Sequence, residues 1–473
     1  MAAMKDIFYK ILFFSTIAVM TIFLVQTVTG VVKLEPLHGA VIEAEKPKPT
    51  LATYVDGSFQ ENVEQYLRDH FGFREWLIRY YNQYLWSCFH ETNNATIVRG
   101  KDNWLFEELY VRNHYESLMY DYTNDTSEMK KIFEKEALRL KKVQELLKEY
   151  DIHLFVVIAP SKDEICPEYL PQNFSYNRPV GVRAYDYYTK RFDELGVDYV
   201  DFVPIFKNLK NTVDYPLFPP TGTHWTSIAS VYAFDSLLHY MAALGNKNLV
   251  DLEIGEKYQA ETRDFDNDLE TILNMARPLK SPTNWYVDVK AIEDSSAVKP
   301  NLVGVGDSYF WHFIYNIPLL DIFQNSTYWY YNYIIYGDPE NTSPLEVDIE
   351  QELMKPDYIM LIFNPTTLYK FSCYYLPRAL LHLCYDKTVI DSVALDFSET
   401  IKLYKPTWYK AAVEKAKETH QSVEEVLHED ALYMFRTEPE MYFKELEGSK
   451  MPTSRNKDLK TIRNKCIFAP SNE

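Results

Sequence analysis

Leu302-Val303-Gly304-Val305 runs without a break into Gly306-Asp307-Ser308-Tyr309. A short apolar run closing on Gly-Asp-Ser has the form of a buried strand that turns sharply into a helix. Such a turn presents the serine hydroxyl and can aim its backbone N–H at a developing oxyanion. A serine hydroxyl is a weak nucleophile near neutral pH unless a base lies within hydrogen-bond reach, so Ser308 has to be read together with an upstream histidine. That histidine is offered by Thr223-His224-Trp225. By itself the tripeptide is weak evidence, because Gly, Asp and Ser also build ordinary turns and helix caps. Asp307, next to Ser308 on so tight a turn, should point away from it and cap.

Around this turn, strands and helices alternate. Residues 127–150 are dense in Lys, Glu and Leu at helical spacing and are followed by the apolar strand 152–158, which ends in Ala159-Pro160-Ser161-Lys162. A helix near 181–195, a strand at 198–202, a helix starting at Thr226, the strand before Gly306 and a strand at 358–363 continue the alternation. The fold class that follows is α/β, a mainly parallel sheet with helices on both faces. Ligand groups in such sheets gather beyond the carboxyl ends of the strands, where Ser161, Lys162 and Ser308 fall.

The amino-terminal part is of another kind. Residues 11–32 carry no charge, and about 20 such residues suffice to cross a bilayer as a helix. Lys5 and Lys10 precede the run and Lys33 follows it, which places the amino terminus on the cytoplasmic side and the remaining chain outside. No small-residue cleavage site follows, so an uncleaved anchor is expected rather than a removed signal. Pro36, Pro47 and Pro49 mark a linker after it.

Composition bounds the partners. Sixty-eight acidic against 49 basic residues leave a net charge of −19, which argues against nucleic acid and against a strongly anionic polymer as the main partner. A neutral glycan stays open. The five cysteines, Cys88, Cys166, Cys373, Cys384 and Cys466, show no metal-binding spacing and allow at most a pair or two of bridges. No metal and no cofactor are expected. Asp69-His70-Phe71-Gly72-Phe73-Arg74, read within one helical stretch over 61–84, suggests a structural ion-pair cluster. Tyr328-Trp329-Tyr330-Tyr331-Asn332-Tyr333 alternates as a strand would, with one face in the core and the other either covered by a neighbouring element or stacked on sugar rings.

Taken in order, Asp69-His70-Phe71 with Arg74, Gly100-Lys101 with Trp104-Leu105-Phe106, Ala159-Pro160-Ser161-Lys162 with Pro167 and Leu170-Pro171, Thr223-His224-Trp225 and Gly306-Asp307-Ser308-Tyr309 resemble the SGNH-hydrolase-like periplasmic proteins of the alginate O-acetyltransferase group, including those named for an Asp-His-His-Trp motif. The resemblance spans roughly residues 55–370, and in that family too the histidine motif precedes the serine motif. It implies an SGNH-like domain, expected at 56–400; the residues themselves suggest an anchor at 1–33, a linker at 34–55 and a C-terminal helical extension with a basic tail at 401–473. It further implies a single-pass protein of the inner membrane with its catalytic domain in the periplasm. Such a protein would move acyl groups onto a polysaccharide acceptor beside a multi-spanning membrane O-acyltransferase that delivers the donor.

The expected site is Ser308 as nucleophile and His224 as base, with Ser161, Lys162 and Tyr309 as candidates for oxyanion or substrate contacts. One departure touches the chemistry. The family places an acid two residues before the histidine, where this chain has Gly222. Loss of the orienting acid in a triad costs about 10⁴ in rate unless another acceptor takes over. Asp214 is the nearest upstream carboxylate. The missing acid also motivates a second reading, a catalytically idle, membrane-tethered glycan-binding or scaffold subunit.

Overall fold

The computed structural model describes residues 2–39, 42–116, 126–171, 183–279, 283–337, 341–373, 375–385 and 387–438. Twelve strands are assigned among them: β1 (Ile97–Arg99), β2 (Leu105–Glu107), β3 (His153–Ile158), β4 (Tyr199–Asp201), β5 (Leu252–Ile254), β6 (Tyr258–Ala260), β7 (Asn284–Tyr286), β8 (Val289–Ala291), β9 (Asn301–Gly306), β10 (Asn325–Tyr330), β11 (Ile334–Tyr336) and β12 (Tyr358–Phe363). Six of these form the central sheet in the order β11-β10-β9-β12-β3-β4. All neighbours in it run parallel except the β10–β11 edge hairpin. The α/β expectation is met, and the strands predicted at 152–158, 198–202, 302–305 and 358–363 stand within a residue or so at each end.

Two interior strands, β3 and β12, are buried at every position, which their unbroken apolar sequences require of a parallel sheet covered on two faces. Successive side chains point to opposite faces. Phe155, Val157, Met360 and Ile362 pack with Trp225, Phe234 and Phe313 on one side. Leu154, Val156, Leu361 and Phe363 pack with Phe133, Tyr188 and Leu376 on the other. β9 lies against β12 so closely that a Cβ on Gly306 would sit 1.9 Å from the Ile362 carbonyl oxygen. Only glycine fits there, and its absent side chain brings the next residues, Asp307 and Ser308, over the end of β12.

The other expectations are partly redrawn. The stretch 61–84 is two helices, Ser58–His70 and Arg74–Tyr84, broken at Phe71-Gly72-Phe73 by a left-handed Phe73 at φ 63°. Arg74 nevertheless pairs with Asp69 at 3.7 Å. The aromatic run leaves the sheet at Tyr330, since Tyr331 and Asn332 turn through positive φ. Tyr328 and Trp329 are both buried, so each face of that strand is core. Helices Pro406–Thr419 and Val423–Thr437 form a further cluster with Lys387–Tyr404, which runs through residue 400. Cys384 is disulfide-bonded, whereas Cys88, Cys166 and Cys373 are free. The basic tail at 450–465 lies outside the described residues.

The amino-terminal helix, Ala2–Thr29, contains a 23-residue apolar stretch, Ile7–Thr29, long enough to cross a membrane. It stops earlier than the uncharged run because Gly30 turns left-handed at φ 57°. The segment after it is strapped to the domain. Arg79 donates to the carbonyls of Glu35 and Pro36 at 2.9 and 2.8 Å, and Asn274 exchanges hydrogen bonds with the His38 backbone.

Candidate active site

Ser308 follows β9 and precedes the helix Phe310–Asn316. The turn is held by Asp307, whose fully buried carboxylate accepts from Tyr309 N at 3.1 Å with one oxygen. Its other oxygen accepts from Asn364 N, Asn364 Nδ2 and Thr367 Oγ1 at 2.9, 2.7 and 2.5 Å. The Tyr328 hydroxyl donates to the Asp307 carbonyl from below. Asp307 is thus a structural anchor that points away from the hydroxyl of Ser308. Burial pushes its pKa up, against these donated hydrogen bonds. Among the described residues no backbone carbonyl accepts the Ser308 N–H.

His224 lies on the loop before the helix Ser227–Gly245, capped by Thr226. Its Nε2 is 2.7 Å from Ser308 Oγ. Residues 84 positions apart are therefore set as a nucleophile and its base. Edge-on contacts with Tyr309, at a ring separation of 4.7 Å, and with Phe265 at 6.4 Å enclose the imidazole.

The acid comes from an unforeseen place. Asp268 Oδ2 lies 3.4 Å from His224 Nδ1. That is an ion-pair contact, longer than a well-formed hydrogen bond, and Nδ1 has no other partner. Asp268 Oδ1 meanwhile accepts from the Thr223 and Leu269 amides at 2.7 and 2.9 Å, so the carboxylate is tied to the backbone beside the histidine. Burial disfavours the imidazolium, yet Asp268, aided by Asp307 and Glu107, outweighs it and raises the His224 pKa above its ordinary value.

Asp214, the carboxylate expected to orient His224, is exposed and paired with Lys257. It faces solvent and makes no contact with the histidine. The position of the family's acid is closed for a steric reason: a Cβ on Gly222 would meet the Phe265 carbonyl oxygen at 2.7 Å and the Asp266 carbonyl carbon at 2.8 Å.

Lys162, expected at the oxyanion or a sugar, instead supports the loop. Its buried ammonium donates to the carbonyls of Leu105, Pro220 and Gly222 at 2.6, 2.9 and 2.8 Å. Three acceptors this close use all three N–H bonds of an ammonium; a neutral amine would turn its lone pair on one of them. Burial lowers its pKa to about 7, opposed by Cys166 and Asp268. Ser161 is buried just before the short turn Lys162–Ile165, where its carbonyl accepts from Ile165 N. Tyr309 spends its amide on Asp307 and packs its ring on His224.

Sequence reasoning also missed Glu107 and His312. Glu107 ends β2 within electrostatic range of His224, Asp268 and Asp307, and burial pushes its pKa to about 7. His312, one helical turn after Ser308, is buried with its ring 5.4 Å from that of His224. Burial drives its pKa well below the usual histidine value, so it is neutral. The Ser308-to-His312 spacing of four was legible; nothing in the spacing of Glu107 or Asp268 pointed to the histidine.

A sheet of this order, with serine and histidine meeting beyond its carboxyl edge, is the SGNH-hydrolase-like class of α/β fold. The family model described as the SGNH hydrolase-like domain of the acetyltransferase AlgX matches residues 97–305, spanning Glu107, His224 and Asp268 and ending just before the serine turn. Over that stretch, a little under half of its length, the chain is similar to this family. Among solved structures it is similar to the O-acetyltransferase domain of Pseudomonas putida AlgJ, at 16% identity and TM-score 0.38 over 58% of this chain and 92% of that one. It is similar also to Pseudomonas aeruginosa AlgX, at 13% and 0.36 over 59% and 67%, and to Bacillus cereus PatB1 with a sulfonyl adduct, at 11% and 0.35 over 59% and 99%. No curated protein matches significantly.

Proposed function

We propose that this protein is a membrane-anchored, extracytoplasmic O-acetyltransferase that acts on a polysaccharide through a covalent acyl-serine. The observation that carries the reading is the 2.7 Å contact between His224 Nε2 and Ser308 Oγ, with Asp268 behind Nδ1. His224 takes the Ser308 proton as Oγ attacks the acyl carbonyl, and the negative charge passes to the carbonyl oxygen, facing the Ser308 N–H. The tetrahedral centre collapses with cleavage of the bond to the leaving group, which receives the proton from His224. A sugar hydroxyl then gives its proton to His224 and attacks the acyl-serine, and Ser308 leaves with that proton. Asp268 stabilises the imidazolium in both halves.

The idle-subunit reading drew its support from the missing acid, and Asp268 removes that support. Delivery of the donor by a multi-spanning membrane O-acyltransferase, and residence of the domain in the periplasm, belong to the same proposal through the family and the apolar helix.

The test is turnover of a chromogenic acetyl ester by Ser308→Ala, His224→Ala and the double variant. Each single change is expected to remove nearly all turnover, and the double variant to be little worse, because residues sharing one proton transfer are strongly non-additive. Intact-mass detection of a sulfonyl fluoride adduct on wild type, absent from Ser308→Ala, locates the nucleophile. Additive losses, or an adduct that survives Ser308→Ala, would overturn the assignment.

A further inference from the structure

The turn Phe71-Gly72-Phe73 is fastened to the carboxyl-terminal end of the apolar helix. Gly72 N donates to Thr27 Oγ1 at 2.7 Å, and the rings of Phe71 and Phe73 lie 6.5 and 5.6 Å from that of Phe23. The two backbones are so close that a Cβ on Gly72 would stand 2.5 Å from the Phe23 carbonyl oxygen and 2.8 Å from Thr27 N. The apolar stretch Ile7–Thr29 has 23 residues, a length of about 34 Å against a hydrocarbon core of about 30 Å. Phe23 lies about 9 Å before its end, so the junction falls where acyl chains give way to headgroups. The helix Arg74–Tyr84 starts from this junction.

That helix has two unlike faces. On one, Arg79 holds the Glu35 and Pro36 carbonyls, Asn82 Nδ2 donates to the Leu273 carbonyl at 2.8 Å, and Gln83 Oε1 accepts from Arg277 N at 3.0 Å. On the other, Trp76, Leu77, Tyr80, Tyr81 and Tyr84 recur at three- and four-residue spacing, and each is between 45% and 65% exposed. No charged side chain interrupts this second face. A contiguous apolar patch of this kind marks a contact surface. Its composition names the contact, since Trp and Tyr, with an apolar body and a polar tip, collect where a membrane meets water.

We infer that the helix Arg74–Tyr84 is an interfacial helix, lying in the plane of the membrane with the face of Trp76, Tyr80 and Tyr84 against lipid. The inference rests on the membrane-anchored reading above and adds to it a second contact with the bilayer. The occupant is lipid because the face continues directly from the apolar helix, through Phe23, Phe71 and Phe73, at the depth an amphipathic helix takes up. Charge does not draw it there, since the chain carries −19 and the face carries none. The opposite face holds residues 273–277, which follow the helix Asp268–Ile272. Seating the helix therefore keeps Asp268 and the rest of the site at a set height above the membrane.

The experiment places the full chain in vesicles of phosphatidylcholine brominated on the acyl chains, which quenches tryptophan in contact with lipid. Of the eight tryptophans, Trp76 is the one on this face. Wild type is expected to lose emission relative to unbrominated vesicles, and the loss should shrink by about fourfold or more in Trp76→Phe if the other seven stand clear of the interface. Adding Tyr84→Trp to Trp76→Phe moves the probe to the far end of the helix, about 12 Å away, and should restore the quenching. Tyr80→Trp on the same background serves should that variant fail to fold. High salt should leave the quenching unchanged, because an apolar contact is not screened.

Quenching at Trp76 but not at the introduced tryptophans, in a chain that floats with the vesicles, means that the helix stands away from the membrane and overturns the inference alone. Unquenched emission from all of these positions, with cross-linking of the face to a second copy, gives the face to that copy and overturns it likewise, as does quenching that salt abolishes. A chain that does not float with the vesicles overturns the anchored reading and the inference with it.

Discussion

At the scale of single residues, the site is one of charges that set each other's protonation. His224 works as a base only when neutral, and its pKa is raised above the ordinary 6.5 by Asp268 against the effect of burial. Esterase activity should therefore fall as pH drops through a midpoint above that value. In terms of stability the sign is the opposite: the raised pKa means that the protonated histidine favours the folded state at acid pH, and this contribution is lost as pH rises through the folded pKa. Asp268→Asn should move the acid limb of the kcat/KM profile to lower pH and cost about 10²–10⁴ in kcat with little change in KM. A pH–rate profile of both proteins checks this, and an unmoved acid limb would mean that Asp268 does not act on the imidazole. Gly222→Asp, which recreates the family's usual acid in sequence, should lower both stability and activity, because the backbone of Phe265 and Asp266 already occupies the space for its Cβ.

At the scale of elements, Lys162 joins three pieces of chain that are distant in sequence: the end of β3 that carries it, β2 through Leu105, and the His224 loop through Pro220 and Gly222. The Pro220 carbonyl has a second donor in Leu105 N, whereas among the described residues those of Leu105 and Gly222 have the lysine as their donor. Lys162→Met fills the volume and orphans two buried acceptors, at about 1–3 kcal/mol each. Urea unfolding followed by circular dichroism should show a loss of about 2–6 kcal/mol. Residual activity should fall in kcat more than in KM, since the loop that presents the base loosens while the serine turn stays anchored by Asp307. A loss in KM alone would indicate that Lys162 contacts substrate after all.

At the scale of the whole molecule, the apolar helix contributes little to the sheet, yet the chain after it is fastened to the domain. Removing residues 1–33 keeps the contacts of Glu35, Pro36 and His38 with Arg79 and Asn274, whereas removing residues 1–49 deletes them. Both truncated proteins should be soluble and fold cooperatively, with the shorter one melting about 1–3 °C lower, as expected for a few exposed hydrogen bonds in a large domain. Differential scanning calorimetry of the two distinguishes this from a free linker, for which the melting temperatures would coincide. Phe71 and Phe73 touch Phe23 near the end of the helix, so a slight tendency to associate is expected once it is gone.

What could be read along the chain was whatever depends on neighbours in sequence. Buried parallel strands announce themselves as unbroken apolar runs, and β3, β9 and β12 fall where those runs are. The Gly306-Asp307-Ser308 turn was legible because glycine is the one residue that lets β9 close on β12 there. The pairing of Ser308 with His224 was anticipated by residue type and by the order of motifs. The carboxylates were not. Asp268 reaches His224 from 44 positions downstream on a short helix, Glu107 from a strand 117 positions upstream, and neither is fixed by any spacing. Asp214, nearest along the chain, turned out to face solvent beside Lys257. Local sequence dictates which backbone conformations are cheap and which faces must be buried. Which charge stands beside which base is settled only when the loops pack, because electrostatic range is measured through space.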